Sequence, residues 1–396
     1  SIGSNLVDRI TNMPGLSQVS TGPGISKPVI RGMGYNRVVV IDQGIRQEGQ
    51  QWGDEHGLEV DAEEVHSVEV LKGPASLMYG SDAIAGVMVL HPENPLPENM
   101  LQARVGGEYQ TNNGLYNYTA GVAGNNNGLL WKILYSHKAA HSYKNSRDGY
   151  VPGSWFRESD IGGMLGLSKQ WGHSWLRFSH VSFTPGITEG EREMENRTIT
   201  PPLLWEEGNS PYNYDNQMPY QRVNHTKVVS DNLWNLGRGT LKAIVGYQQN
   251  YRREYEEEED TSPLPSPEEM ESVPSLAMRL HTVNYDVKYQ LSLPGTNASW
   301  KMAAGVGGMW QSNVNQGEEF LIPDYRLFDI GAFLTAGTQT GHWHLSGGLR
   351  IDTRHLTSDA LTEDGAERFA HLTKNFTGVT GSVGAVYNVT DRLNLR

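Results

Sequence analysis

The sequence predicts a small α+β domain, residues 1–95, seated inside a transmembrane antiparallel β-barrel, part of which is built by residues 100–396. Three observations predict this. Residues 28–91 are dense in apolar runs broken by glycine, with Val38–Ile41, Val68–Leu71 and Gly86–Leu90 as short strands. From about residue 101 the pattern changes to strict alternation, the signature of strands with two different faces. The connections between the alternating segments are short and long by turns, as in outer-membrane barrels.

The elements follow in chain order. A short helix is expected near residues 4–10, with Ser4 as cap, Leu6, Val7 and Ile10 on one face, and Met13-Pro14-Gly15 as its stop. Gly22-Pro23-Gly24 and Asp42-Gln43-Gly44 are turn signals. A polar loop runs from Gly44 to Glu59. The acids of Asp61-Ala62-Glu63-Glu64-Val65 suit a helix start, so a second helix is expected there. Lys72-Gly73-Pro74 to Gly80 reads as a turn and a short helix ended by glycine. Pro92, Pro95 and Pro97 mark the domain boundary.

About twelve alternating segments follow, with the start of a thirteenth at Asp391–Arg396. In one, Leu241, Ala243, Val245, Tyr247 and Tyr251 share a face, with Gln249 the exception. In another, Val283, Tyr285, Val287, Tyr289 and Leu291 oppose Thr282, Asn284, Asp286, Lys288 and Gln290. Each segment is about 9–11 residues long, enough for a tilted strand to cross a bilayer. Tyr and Trp recur at segment ends, where an interfacial girdle needs them. A soluble sheet with one wet face is the alternative. It lacks a second apolar set for a dozen large aromatic faces to pack on.

Composition agrees. Hydrophobic residues make up only 37% of the 396, and no run nears the length of a membrane helix, yet barrels keep low mean hydropathy. There is no cysteine, which removes disulfides and thiolate metal sites. A net charge of −13 argues against a nucleic-acid partner. The chain opens on Ser1-Ile2-Gly3 with no leader pattern. HExxH and GxSxG motifs are absent, which speaks against a secreted hydrolase.

Several stretches together resemble one family. Pro28-Val29-Ile30-Arg31-Gly32-Met33-Gly34, Arg37–Gly44 and Val68–Val87 are similar, in order, to the plug domain of TonB-dependent outer-membrane receptors. The alternating remainder is similar to about the first half of that family's 22-stranded barrel. The resemblance gives no position for the family's TonB box. It implies active import across the bacterial outer membrane, with TonB (with ExbB and ExbD) moving the plug and no covalent chemistry. Outer-membrane lipid and lipopolysaccharide surround such a barrel. A passive porin is the reading of another class, and the plug pattern argues against it.

Candidate site residues are few. Gly53-Asp54-Glu55-His56-Gly57 places two carboxylates and an imidazole together, ligand types suited to Zn²⁺ or another first-row divalent ion. The resemblance makes this an apical, substrate-facing loop, with His56 matching a position used by zinc receptors. His137 and His141 are further metal or substrate candidates. His225, His281 and His355 read as ordinary surface or lumen residues. Arg31, Arg37 and Lys72 are expected to contact the barrel wall, with Glu63, Glu64, Asp286 and Asp352 as partners. The acidic run Glu256–Asp260 with Glu268, Glu269 and Glu271 reads as a solvated loop, or one that concentrates cations. No resident cofactor is expected; a bound Zn or Fe ion would be substrate. Trp155, Phe156, Trp205, Tyr212, Tyr214 and Tyr220, with Arg157, Arg192, Arg197 and Arg222, keep a ferric-siderophore or haem receptor open as the alternative to a metal cation.

Overall fold

A computed structural model describes residues 5–71, 76, 78–80, 82–83, 85–188, 210–256, 273–295, 298–363, 365–390 and 393–395. The first domain comprises α1 (Leu6–Ile10), β1 (Leu16–Ser20), β2 (Ser26–Ile30), β3 (Val38–Asp42), β4 (Ile45–Arg46), β5 (Val65–Leu71) and β6 (Gly86–Pro92). The helix is capped by Asn5, whose side chain accepts the Asp8 amide at 3.0 Å. The sheet order is β4-β3-β6-β5, with β3 parallel to β6. Both central strands bury both faces, which is why they read as unbroken apolar runs. Val38, Val40, Met88 and Leu90 face a core with Leu6, Leu16, Ile30 and Val60. Val39, Ile41, Val87 and Val89 pack on the other side with Ala83.

The helix expected at Asp61–Val65 is a turn instead. The Asp61 side chain accepts the Glu63 amide at 2.9 Å, closing an Asx turn, and Val65 already opens β5. A capping acid and an Asx turn present the same residues in sequence; strand pairing of β5 with β6 decides between them.

The second part consists of β7 (Met100–Gln110), β8 (Leu115–Asn126), β9 (Leu129–Ala140), β10 (Lys144–Asn145), β11 (Gly149–Tyr150), β12 (Phe156–Lys169), β13 (Gly172–Pro185), β14 (Tyr220–Leu236), β15 (Gly239–Tyr255), β16 (Leu276–Leu293), β17 (Ser299–Asn315), β18 (Tyr325–Thr340), β19 (Trp343–Ser358), β20 (Leu361–Glu363), β21 (Ala366–Phe369), β22 (Leu372–Thr390) and β23 (Leu393–Leu395). Apart from the hairpins β10–β11 and β20–β21, these form one thirteen-stranded antiparallel sheet in sequence order, with β7 and β23 at its two open edges. Every second residue points outward, and most of these are apolar. Val245, Leu349, Val379 and Val383 are all exposed, Val383 by 91%. An apolar belt of this extent is the lipid-facing side of a membrane barrel. The inward residues are mostly polar, and the buried ones cluster on β9 and β12 to β17, among them Lys138, Asp160, Lys227, Arg252, Thr282 and Asn313. No helix among the described residues is long and apolar enough to cross a membrane. The fold is thus an α+β domain inside an antiparallel barrel wall that is not closed.

Candidate functional site

The contact between domain and wall is organised by one turn and one strand. Gln43 (φ 54°) and Gly44 (φ 89°) both take the left-handed conformation between β3 and β4. That pair makes a type I′ hairpin turn, which needs glycine or its equivalents and sends the chain back against the wall. A Cβ on Gly44 would stand 2.9 Å from Ile244 Cδ1. Beside the turn, Ile45 packs with Val229 and Ile244 of the wall.

Residues 46–59 then run along β15, whose inward side chains grip them at every second position. The Gln248 side chain donates to Arg46 O at 2.7 Å and accepts the Glu48 amide at 3.1 Å. Gln50 donates to the backbone carbonyls of Asn250 and Met278, at 3.1 Å each. Arg252 bonds the Glu59 carboxylate and the Gln221 side chain, and reaches Gly49 O at 3.4 Å. Glu254 Oε1 lies 2.8 Å from His56 Nε2. One strand away on β14, Lys227 pairs with Asp42 and donates to Gln47 at 2.8 Å. Arg252 and Glu59 are each 1% exposed at their side chains, so neither charge has water as an alternative partner. Burial pushes the Glu59 carboxyl up to about 7 against the pull of Arg252.

His56 is part of this seam. Its environment is buried, and burial with the Arg252 guanidinium lowers its pKa against the opposing bond to Glu254. In the neutral ring Nε2–H donates to Glu254. Nδ1 lies 3.2 Å from the Gly53 amide nitrogen and 2.7 Å from Gln50 O, an acceptor that only a protonated Nδ1 serves, so this contact and the Glu254 bond both oppose the lowering of the pKa. The expected flexible, solvated loop is therefore a fastened one. Its composition looks solvated because Asp54 is exposed and Glu55 half-exposed. Asp54 accepts from the Tyr35 hydroxyl, and Lys27 lies over the Tyr35 ring at 4.1 Å.

The other candidates are placed apart from His56. His137 faces outward on β9, bonded to Ser159 Oγ at 2.7 Å and stacked beside Tyr116 and Tyr118. His141 is buried just beyond the strand, with Nδ1 on Ser142 O at 2.9 Å and Tyr212 and Tyr214 edge-on at 5.5 Å. The three histidines share no partner. The expected wall contacts of Arg31 and Arg37 are replaced by others. Both are exposed in the turns between β2 and β3, without an ion pair among the described residues. Arg46 and Arg354 meet at Asp82 instead, at 2.6 and 2.8 Å, and Arg9 pairs with Glu63 within the domain at 3.0 Å. Lys72, Glu268, Glu269, Glu271, Arg192, Arg197, Trp205 and the run from Glu257 lie outside the described residues.

The seam residues Gln248, Asn250, Arg252 and Glu254 are absent from the sequence-derived site. A signal exists: four long polar side chains at alternate positions on a strand whose other face is apolar. Their partners lie about 200 residues away and have no local trace.

Comparisons with known proteins agree with this architecture. Residues 2–87 match the family described as TonB-dependent Receptor Plug Domain. The iron-regulated outer membrane virulence protein of Vibrio cholerae is 34% identical over 91 residues, 21% of this chain and 14% of that protein. Among solved structures, copper transporter OprC superposes with a TM-score of 0.73 at 16% identity, covering 98% of this chain and 58% of that one. The FrpB iron transporter of Neisseria meningitidis (F3-3 variant) gives 0.72 at 17% identity, covering 99% and 61%. The chain thus spans about three fifths of the solved receptors it matches. Residues 2–87 are a TonB-dependent receptor plug domain, and the chain as a whole has the plug-and-barrel fold of that family of outer-membrane receptors.

Proposed function

We propose that this chain belongs to an importer that carries a metal ion or metal chelate across the bacterial outer membrane, powered by TonB with ExbB and ExbD. The observation that carries the reading is the seam. A domain fastened to the lumen wall by Arg252–Glu59, Lys227–Asp42 and His56–Glu254 blocks the lumen, so passage requires work on the plug. A passive porin has no use for such a fastener. Proteins of similar fold include a copper transporter and an iron transporter, which supports metal cargo.

In this reading Asp54 and Glu55 meet a cation first, and zinc, iron or copper enters as substrate, with no resident cofactor. Coordination by His56 would replace its bond to Glu254, so cargo binding would loosen the loop from β15. Outer-membrane lipid and lipopolysaccharide surround the apolar belt. The family's work is transport, with no bond made or broken in the cargo. A ferric siderophore or haem is the second reading. It is favoured by the tyrosines around His141, where the Tyr150 and Tyr212 hydroxyls bond at 2.8 Å at the exposed rim.

Uptake of labelled zinc, copper, iron, a ferric siderophore and haem by cells expressing the full receptor, with and without TonB, tests this. Expected is TonB-dependent uptake of one metal cargo, reduced in His56→Ala. Uptake unchanged without TonB, or rapid unselective entry of small sugars, would overturn it. Uptake of haem alone would select the second reading.

A further inference from the structure

A second group of ligand atoms lies on the seam, away from the 54–56 loop. Asp61 comes from the plug, and Glu158 and Asp160 come from the inward face of β12. Their ligand oxygens all lie within 4.8 Å of one another, and all three residues are buried. No other such group of three is found among the described residues. Glu158 pairs with Lys138 at 2.8 Å, and Ser136 donates to Asp61 at 3.1 Å and to Asp160 at 3.4 Å. Asp160 Oδ1 accepts nothing.

An independent observation points to an occupant. Asp61 and Asp160 line a small cavity with Glu64, Lys227 and His225. It has room for about one water-sized particle. His225, on β14, is 1% exposed; Nδ1 meets Asn250 Nδ2 at 3.1 Å, and Nε2 has no partner. A buried imidazole nitrogen left open beside carboxylates is unusual, because buried polar atoms are nearly always paired. The nearby cations are already engaged, Lys138 by Glu158 and Lys227 by Asp42 and Gln47. Asp61 and Asp160 thus have no bonded cation of their own.

We propose that this pocket binds one first-row divalent cation, held by carboxylate oxygens of Asp61, Glu158 and Asp160 with the His225 imidazole beside it, as a clasp between plug and wall. Three carboxylate oxygens suit Mn²⁺, and Zn²⁺ also takes carboxylate ligands. Ca²⁺ takes six to eight oxygens, a shell that the cavity does not accommodate. The cavity is also too small for a chelate. The ion is therefore a structural component and not the cargo, and the inference stands whether or not the transported substrate is a metal.

The full receptor, purified in detergent and stripped with a chelator, is titrated with MnCl₂ and separately with ZnCl₂ by calorimetry. One equivalent is expected to bind at this pocket, apart from any bound at residues 54–56, with affinity for it falling about tenfold or more in Asp160→Asn and in Asp61→Asn. Anomalous scattering from metal-soaked wild-type crystals, which needs no variant, should place the ion between the three carboxylates. No binding by the wild type, equal affinity in both carboxylate variants, or an ion located only at residues 54–56 would overturn the proposal. So would a pocket that holds protons only, shown by a thermal midpoint insensitive to either metal.

Discussion

The plug meets the wall in two different ways. Along β14 and β15 the contact is continuous. Successive inward side chains Gln248, Arg252 and Glu254 each reach a plug partner, and Gln50 takes the Asn250 carbonyl between them. Between the middle of β16 and β19 the plug stands off the wall across an open-sided cavity of about 110 Å³ lined by Gly307, Gly308, Asp286, Asp329 and Arg350. There the bridging ion pairs converge on Asp82, shared by Arg46 from the plug and Arg354 from the wall. Glycine forms part of this wall because larger side chains would collide. A Cβ on Gly331 would come within 2.0 Å of Asp352 Oδ1. The difference teaches that one side of the described wall fastens the plug through buried charges, each with one opposite charge and further hydrogen bonds, and the other through partly exposed charges that share Asp82.

The largest expected effect breaks the fastened side. Arg252→Met leaves Glu59 and Gln221 without their buried partner, and removing one member of a buried pair costs about 3–5 kcal/mol. Urea unfolding of the receptor in detergent, followed by a fluorophore on the plug, should show the plug transition shifted by that amount. The double variant Arg252→Met, Glu59→Leu should recover most of it, since apolar replacement of a whole buried pair is often near neutral. If the single variant shifts the transition by no more than a surface pair does, the contrast between the two sides fails.

His56→Ala comes next. It strips Glu254 of its plug partner and is expected to cost about 1–3 kcal/mol. This effect carries a pH signature. The folded pKa of His56 lies below the ordinary 6.5, so the native state binds fewer protons than the unfolded one. The stabilisation is therefore complete above about 6.5 and is lost as pH falls through the folded value. The gap between wild type and His56→Ala should narrow on acidification. A gap that widens would show that the charged ring, not the neutral one, holds the loop.

What the sequence showed, and what it hid, follows the same division. The outward face of β15 was legible because lipid demands the same character at every second position, as Leu241, Ala243, Val245 and Tyr247 show. The buried strands of the plug were legible as apolar runs, Val38–Ile41 and Gly86–Leu90, and the motifs around them carried the family. The inward face was legible as polar and no further. Arg252 and Arg350 look alike in sequence, yet the first meets the plug and the second pairs with Asp352 on its own strand. His56 was singled out for its neighbours Asp54 and Glu55, and those neighbours misled. The two acids are open to water while the imidazole turns the other way, into a pocket made by a strand 200 residues on. Arg31 and Arg37 lie where a plug is expected to meet a polar wall, but the turns that carry them leave both side chains exposed.

Arg354→Ala should have the smallest effect and tests the loose side directly. Its side chain is 27% exposed, and Asp82 keeps Arg46 when it is gone. About 0.5–1 kcal/mol is the expected range for a pair of this exposure. Burial alone would raise the Asp82 pKa, but Arg46 and Arg354 outweigh it and hold the carboxyl down at about 2. A depressed carboxyl stabilises the fold above its unfolded value of about 3.8, and that contribution fades as pH falls from there towards 2. Wild type and Asp82→Asn should therefore differ in urea midpoint at pH 5 and converge near pH 2, while Arg354→Ala should show a smaller difference over the same window. The fastened side titrates in a different, higher window: the Glu59 carboxyl takes up its proton near 7 and the His56 contribution fades below about 6.5, while Arg252 keeps Gln221 and Gly49 to bond. A plug that loosens in Asp82→Asn at neutral pH, where Arg252, Lys227 and His56 still hold it to β14 and β15, would have its hinge on those strands and its opening edge at the side where the cavity separates it from the wall.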